Sequence, residues 1–283
     1  MKIFITGASG YLGGELVKSL SRQHDVTALI RSTSSQLRIK ECDCDVLFVD
    51  NASSLEKGFC EKTPDILINT AASYGRAGEA LDVIVESNLS FPCRILALAR
   101  KYAVKVFLNT GTSLPENVNT YALTKNVFVT LAVSSNSFST KFVNLALEHF
   151  FGAGDDRNKF TSHVISSCIS GQSLDLTDGS QRRDFIYIRD VLRVFDALLE
   201  SLDSLVNNET VSVGSGVAPT VREFVEMALR VSSSTSTLHF GVVEPRVNEP
   251  MYSCADLSRL NELGWSPQFG LESGIRDMIK GEG

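Results

Sequence analysis

The first twenty residues combine a short apolar strand, three spaced glycines and an amphipathic helix, and this order limits how the chain can fold. Lys2–Thr6 predicts a buried strand, and Gly7, Gly10 and Gly13 follow it before apolar residues recur at helical spacing. Gly7 permits a tight turn, Gly10 a close approach to a pyrophosphate, and Gly13 close packing of helix on strand. An ordinary glycine-rich turn is the alternative, but the flanking elements favour a dinucleotide cradle at the helix N-terminus. Its predicted contacts are Gly7, Gly10, Tyr11, Leu12 and Gly13.

The residue after the second predicted strand indicates which dinucleotide binds. Arg31 follows Val26–Ile30, at a point where NAD sites usually carry an acidic residue for the ribose 2′-hydroxyl. A guanidinium there suits a 2′-phosphate, so Arg31 favours NADPH over NADH, although a solvated loop arginine is the alternative. Asp50 ends the third apolar run, Val46–Val49, and is a weaker candidate for contact with the adenine amino group.

Composition and charge exclude several classes of protein. The 283 residues are 43% hydrophobic and 21% charged, as in soluble globular proteins. The net charge of -6 offers no basic surface, so no nucleic-acid partner is expected. Because a strand begins at Lys2 and no apolar run could span a bilayer, we expect no signal peptide, no membrane association and a cytoplasmic location. The six cysteines lack zinc-site spacing, so no metal is expected.

Strand and helix patterns alternate through the first half of the chain. Strands are predicted at Ile66–Asn69, Val106–Asn109 and Phe142–Leu147, and helices at Ala80–Tyr102 and Tyr121–Val133. This alternation predicts an α/β fold, a Rossmann-type doubly wound parallel sheet with helices on both faces. We expect residues 1–147 to bind the dinucleotide and 148–283 to form a smaller substrate-binding lobe, with segments at about 181–215 returning to the first domain.

Tyr121 and Lys125 are the candidate acid/base pair. Residues four apart on a helix share a face, so both side chains are expected to point into the same cleft. A free tyrosine, with a pKa near ~10, is a poor acid/base at neutral pH. We expect the Lys125 ammonium and the positive ring of the oxidised cofactor to lower the pKa of Tyr121. An aromatic anchor beside a solvated lysine is the alternative.

A hydroxyl-rich segment separates the Val106–Asn109 strand from that helix. Thr112 is the candidate for orienting the reacting oxygen beside Tyr121, with Ser113 and Thr110 as alternates. Hydroxyls that satisfy the backbone of their own loop are the competing explanation.

These motifs resemble the extended short-chain dehydrogenase/reductase family, whose members act on nucleotide sugars, and the resemblance covers essentially the whole chain. It implies a homodimer formed through the long helices and adds Ala71, Ala72 and Asn88 to the cofactor contacts. It also implies that Lys125 holds the nicotinamide ribose while Tyr121 donates the proton. Beyond the glycines and the Tyr/Lys pair, it rests on Asn69–Ala72, Asn88, Gly152–Asp155, Arg183–Val191 and Val213–Gly216.

Longer strings resemble family members that use NADPH to reduce CDP-4-keto-3,6-dideoxyglucose to CDP-paratose. The implied partner is therefore a small CDP-linked sugar. The strings are Ser73–Arg76, Gly111–Pro115, Leu147–Gly152, Asp184–Ile188, Phe240–Val243 and Arg246–Asp256.

The same resemblance implies a set of substrate contacts. Arg183 and Arg246 fall where relatives clamp the pyrophosphate, although either could be a surface arginine. His149 stands where many relatives carry Asn, so it is either a substrate contact or a structural histidine. The full predicted set is Ser73, Arg76, Ser113, His149, Lys159, Phe160, Arg183 and Arg246.

Two other functions are compatible with these residues. An NAD-dependent nucleotide-sugar epimerase would use the same groups but return the hydride to the opposite face, and Arg31 argues mildly against it. A non-catalytic NADP(H)-sensing protein need not keep both Tyr121 and Lys125.

Overall fold

One largely parallel sheet organises the first half of the chain in the computed structural model, which describes residues 1–134 and 139–282. The strands are β1 (Lys2–Thr6), β2 (Asp25–Ile30), β3 (Asp45–Phe48), β4 (Ile66–Asn69), β5 (Val106–Thr110), β6 (Lys141–Leu147), β7 (His149–Phe151), β8 (Leu174–Leu176), β9 (Phe185–Tyr187), β10 (Glu209–Val213) and β11 (Leu238–Phe240). Within the described residues, seven of them follow the order β10-β6-β5-β4-β1-β2-β3, and the pairings from β6 to β3 are parallel. This doubly wound order confirms the predicted Rossmann-type fold.

The helices are α1 (Tyr11–Leu20), α2 (Ala52–Glu61), α3 (Leu81–Val85), α4 (Phe91–Lys101), α5 (Thr120–Ser134), α6 (Phe160–Ser170), α7 (Ile188–Glu200), α8 (Val221–Val231), α9 (Ser258–Glu262) and α10 (Leu271–Glu282). The single helix predicted over Ala80–Tyr102 is instead α3, a π-helical turn at Glu86–Ser90, and α4. Pro92 lacks the N–H that would continue the α-helical ladder, which accounts for the interruption. No helix within the described residues is long and apolar enough to cross a membrane.

The first compact unit comprises Met1–Ala146 and Leu198–Val211. Its main core lies between one side of the sheet and helices α2, α4 and α5, where Phe4, Phe59, Phe107, Phe128 and Phe142 are almost fully buried. Burying rings of this size supplies much of the hydrophobic stabilisation of a domain.

A ladder of buried side-chain hydrogen bonds crosses the same sheet near the carboxyl ends of its strands. Thr6 donates to Asn69 (2.7 Å), Asn69 to Asn109 (2.9 Å), and Asn109 to Asn144 (2.9 Å). Because buried amides are costly unless paired, this ladder fixes the relative positions of β1, β4, β5 and β6. The loops that carry the candidate site leave the sheet from these strand ends.

The second compact unit comprises Leu147–Ala197 and Ser212–Gly283. In it β7 pairs with β9 and β8 with β11, and the rings of Phe185 and Phe224 lie 4.4 Å apart. The fully buried carboxylate of Asp184 accepts hydrogen bonds from the backbone of Ser215, Gly216 and Ala255, which joins three segments of this unit.

Candidate active site

The glycine turn after β1 is built by close backbone approach. Gly7 has φ +65, and a Cβ there would lie 2.7 Å from the backbone nitrogen of Ala71. A Cβ on Gly13 would lie 2.3 Å from the carbonyl oxygen of Gly7, so α1 packs directly on the turn. Gly10 caps α1 without a side-chain hydrogen bond and is exposed. The N-terminus of α1 therefore keeps N–H groups available to an anion, as a dinucleotide cradle requires.

The segment after β2 is polar and exposed. Arg31 follows β2 directly and is exposed, while the Asp50 carboxylate accepts hydrogen bonds from the backbone N–H (2.8 Å) and hydroxyl (3.1 Å) of Ser32. Further along this segment, the Arg38 guanidinium lies 5.4 Å from the ring centroid of Tyr11. Asp50 thus braces the loop that begins at Arg31.

Tyr121 lies in the first turn of α5, with its ring stacked on Tyr74 at 4.6 Å between centroids. Its phenol also makes side-chain hydrogen bonds with Tyr74 and Thr112. Burial raises the pKa of Tyr121 well above its ordinary value and Tyr74 raises it further, whereas Arg76 and Thr112 lower it. In the protein alone, therefore, the phenol stays protonated, opposite to the direction expected from Lys125 and an oxidised cofactor, because burial dominates.

Lys125 is buried one helical turn beyond Tyr121, with 2% of the residue exposed. Burial lowers its pKa to about 8. A buried ammonium near its pKa at neutral pH can hold or release a proton, and it can also bind a ribose hydroxyl.

Asn88 ties the loop after β4 to α5. Its side-chain oxygen accepts from the backbone N–H of Ser73 (2.8 Å), and its amide donates to the carbonyl of Ser73 (2.9 Å) and to the Thr124 hydroxyl (3.1 Å). These bonds use the Asn88 side chain, which is 1% exposed, to hold the segment carrying Arg76 beside the helix carrying Tyr121. Asn88 lies in the π-helical turn, a feature frequent at functional sites.

The three candidate hydroxyls after β5 have different surroundings. Thr110 donates to the carbonyl of Asn69 (2.9 Å), which is a structural use. Thr112 bonds Tyr121 and also accepts from the backbone of Leu114 (3.2 Å). The Ser113 hydroxyl is buried and has no hydrogen-bond partner among the described residues. This arrangement favours Thr112 as the hydroxyl beside the phenol.

Arg183 belongs to the second unit and is 4% exposed. Its guanidinium pairs with Glu249 at 2.5 Å and donates to the carbonyls of Arg182 (2.8 Å) and Pro250. The Arg183 guanidinium, which was predicted to bind a pyrophosphate, is therefore already hydrogen-bonded to groups of the protein. Arg246 is exposed at the start of the turn that carries Glu249.

The other predicted substrate contacts of the second unit lie on β7 and around the start of α6. The Nδ1 atom of His149 lies 3.7 Å from the buried carboxylate of Glu148. Lys159 pairs with Asp155 at 2.8 Å and lies over the ring of Phe150. Phe160, at the start of α6, is 40% exposed. Among the described residues, no cluster of histidine, cysteine and acidic side chains could hold a metal ion.

Comparison with known proteins identifies the family. The model of the NAD dependent epimerase/dehydratase family matches residues 3–214. The chain belongs to this family. Curated relatives of this family member include a protein named CDP-abequose synthase from Salmonella typhimurium, 28% identical over 98% of this chain and 97% of the relative. The protein of the same name from Salmonella muenchen is 29% identical over the same shares.

Solved structures of epimerases share the fold of this epimerase/dehydratase family member. The UDP-glucose 4-epimerase of Thermotoga maritima has a TM-score of 0.87 at 20% identity and covers 99% of this chain and 98% of its own. That of Thermus thermophilus, in complex with NAD, has a TM-score of 0.86 at 22% identity over the same shares. At these identities the likeness establishes the fold.

Sequence reasoning on this family member missed Tyr74, although it singled out both Ser73 and Arg76. Its position along the chain could have indicated it, because Tyr74 follows β4 and Thr112 follows β5, and these two strands are neighbours in the sheet. Loops at the carboxyl ends of adjacent parallel strands meet at one edge of the sheet.

Proposed function

We propose that the chain is an NADPH-dependent reductase of the 4-keto group of a CDP-linked 3,6-dideoxyhexose. The observation that carries this proposal is the placement of the Tyr121 phenol beside Thr112 and one helical turn before the buried Lys125. Burial raises the pKa of Tyr121, which favours the protonated phenol. A phenol held in its protonated form is an acid, and carbonyl reduction needs an acid at the oxygen. The CDP-sugar substrate is supported by the names of the relatives, which match along almost the whole chain.

In this reaction NADPH supplies, when bound, the hydride taken up by the carbonyl carbon. Tyr121 gives its proton to the carbonyl oxygen as that oxygen gains negative charge, and the Thr112 hydroxyl orients the same oxygen. Lys125 binds the nicotinamide ribose and returns a proton toward Tyr121. The turn at Gly7, Gly10, Tyr11, Leu12 and Gly13 receives the pyrophosphate, and Arg31 receives the 2′-phosphate.

The C4 configuration of the product is a separate part of the proposal. Resemblance of the longer strings predicts paratose, whereas the relatives carry the name of abequose, the C4 epimer. The two products differ only in the face from which hydride reaches C4. We retain paratose as the prediction and expect a single epimer.

The deciding assay mixes the protein with NADPH and CDP-4-keto-3,6-dideoxyglucose, with UDP-glucose as the control sugar. We expect stoichiometric loss of reduced-nicotinamide absorbance with the keto sugar and none with UDP-glucose. Proton NMR couplings at C4 of the product then identify the epimer. Retention of NAD with interconversion of sugar epimers and no net oxidation would instead support the epimerase. Dinucleotide binding without any sugar turnover would indicate a sensing protein.

We also propose a homodimer formed through α5. Lys125 and Phe128 are buried on one side of this helix, while Leu123 is 44% and Leu131 49% exposed on the other. A helix that is apolar on both sides is typical of one that packs a second partner on its outer face. A second copy of the same helix offers a matching apolar stripe.

A further inference from the structure

Two tyrosines face each other in the first unit. The rings of Tyr74 and Tyr121 are 4.6 Å apart at the centroids and inclined by 27°, a stacked arrangement, and their hydroxyls share a hydrogen bond. Aromatic stacking fixes the plane of a ring, and a hydroxyl hydrogen bond fixes its direction within that plane. Tyr74 thus restrains the phenol proposed to donate the proton.

Tyr74 is itself held in place by Arg76 and by the hydrogen bonds of its loop. The guanidinium of Arg76 lies 4.5 Å from the centroid of the Tyr74 ring. Asn88 bonds both backbone groups of the preceding Ser73, and Glu79 accepts from the backbone N–H of Ala77 at 2.8 Å. Arg76 and Tyr121 therefore both pack on the ring of Tyr74, which is carried by a braced loop.

We propose that Tyr74 is a positioning residue for Tyr121: its ring aligns the phenol, and its hydroxyl engages the Tyr121 hydroxyl until the carbonyl oxygen of the substrate replaces it. This inference rests on the proposed reductase function. No bond to carbon forms or breaks at Tyr74, and only a hydrogen-bond partner is exchanged.

Among the described residues, Tyr74 and Arg76, in the loop after β4, and Thr112, in the loop after β5, act on the phenol of Tyr121. Lys125 lies one turn further along α5. Burial raises the pKa of Tyr121 most, and Tyr74 raises it next, whereas Arg76 lowers it. Two phenols in contact resist ionising together, so removing one makes the other easier to ionise.

The first test follows Tyr121 by NMR in protein labelled with ¹³C at the tyrosine ζ carbon, with its resonance assigned from Tyr121→Phe. In Tyr74→Phe, which keeps the ring, we expect the Tyr121 resonance to begin titrating at a lower pH than in the wild type. In Arg76→Gln we expect it to begin at a higher pH. Tyr102→Phe serves as the control, because Tyr102 lies at the end of α4 against the main core, and it should leave the Tyr121 titration unchanged. Identical Tyr121 titrations in Tyr74→Phe and the wild type would overturn the proposal.

The second test separates positioning from substrate binding. A misaligned acid lowers kcat and leaves KM for the nucleotide sugar nearly unchanged, whereas a lost substrate contact raises KM. We expect Tyr74→Leu to lower kcat about 10-fold, less than the ~10²–10⁴-fold effect of losing a general acid. A raised KM with normal kcat would contradict the role. If the wild type reduces no keto sugar, the proposed function fails, and the titration still decides whether Tyr74 governs Tyr121.

Discussion

Lys125 lies one helical turn beyond Tyr121, yet only 2% of it is exposed and burial lowers its pKa to about 8 from an ordinary 10.5. The folded protein therefore binds a proton at Lys125 less readily than the unfolded chain does. Between about pH 8 and pH 10.5 folding releases this proton, so the contribution of Lys125 to stability improves as pH rises through that window. At pH 7 the buried ammonium costs roughly 3 kcal/mol, at about 1.36 kcal/mol per pKa unit.

Lys125→Met should consequently stabilise the protein at pH 7 by up to roughly 3 kcal/mol while abolishing turnover. The gain should shrink by pH 10, where the wild-type lysine is already neutral. Urea unfolding at both pH values measures the difference, with the exposed Lys57→Met as a control that changes stability by less than about 0.5 kcal/mol. An equal gain at both pH values would show that proton binding at Lys125 is not its source.

Asn88 provides a test of how the site is held together. Asn88→Ala leaves the two backbone groups of Ser73 without this partner, and each unsatisfied buried group costs about 1–3 kcal/mol. The Thr124 hydroxyl also loses a bond but still donates to the backbone of α5. We expect a lower unfolding midpoint together with a lower kcat, because the loop carrying Tyr74 loosens. Asn117→Ala, on the exposed loop before α5, is the matched control. Unchanged stability and turnover in Asn88→Ala would show that this brace is dispensable.

Much of the site could be predicted because its signals are local. The turn from β1 to α1 is specified by glycines within a few residues, and the spacing of Tyr121 and Lys125 places them on one side of a helix by geometry alone. The fold class followed from alternating patterns for the same reason.

The remaining features depend on contacts between residues distant in sequence. The stacking of Tyr74 on Tyr121 requires the strand order, and the pairing of Arg183 with Glu249 joins positions 66 residues apart. Burial of Lys125, which sets its pKa, likewise arises from packing that no single segment specifies. The π-helical turn before Pro92 had a local cause, but the helical pattern around it concealed the break.

Under the proposed function, we predict that Arg31 sets the preference for NADPH. Because a charged hydrogen bond to the 2′-phosphate contributes about 1.5–3 kcal/mol, Arg31→Ala should lower kcat/KM for NADPH about 10- to 100-fold and leave that for NADH nearly unchanged. Arg22→Ala, an exposed arginine at the end of α1, is the control. An equal loss of kcat/KM with NADPH and with NADH would mean that Arg31 does not bind the 2′-phosphate.

The outer side of α5 tests the proposed dimer. Leu123→Glu places a charge on the exposed apolar stripe, where burial against a second copy would be strongly unfavourable. Sedimentation velocity should show dimers for the wild type and monomers for this variant. Val206→Glu, at an exposed position outside α5, should remain dimeric. A wild-type monomer, or a dimer that tolerates Leu123→Glu, would contradict the α5 interface.

The most direct measurement of the central claim is single-turnover reduction of CDP-4-keto-3,6-dideoxyglucose by the Tyr121→Phe variant loaded with NADPH. The account predicts that the rate of nicotinamide oxidation falls about 10²–10⁴-fold, since the general acid is gone, while the Kd for NADPH stays within a factor of about two. A Tyr121→Phe rate close to that of the wild type would contradict it.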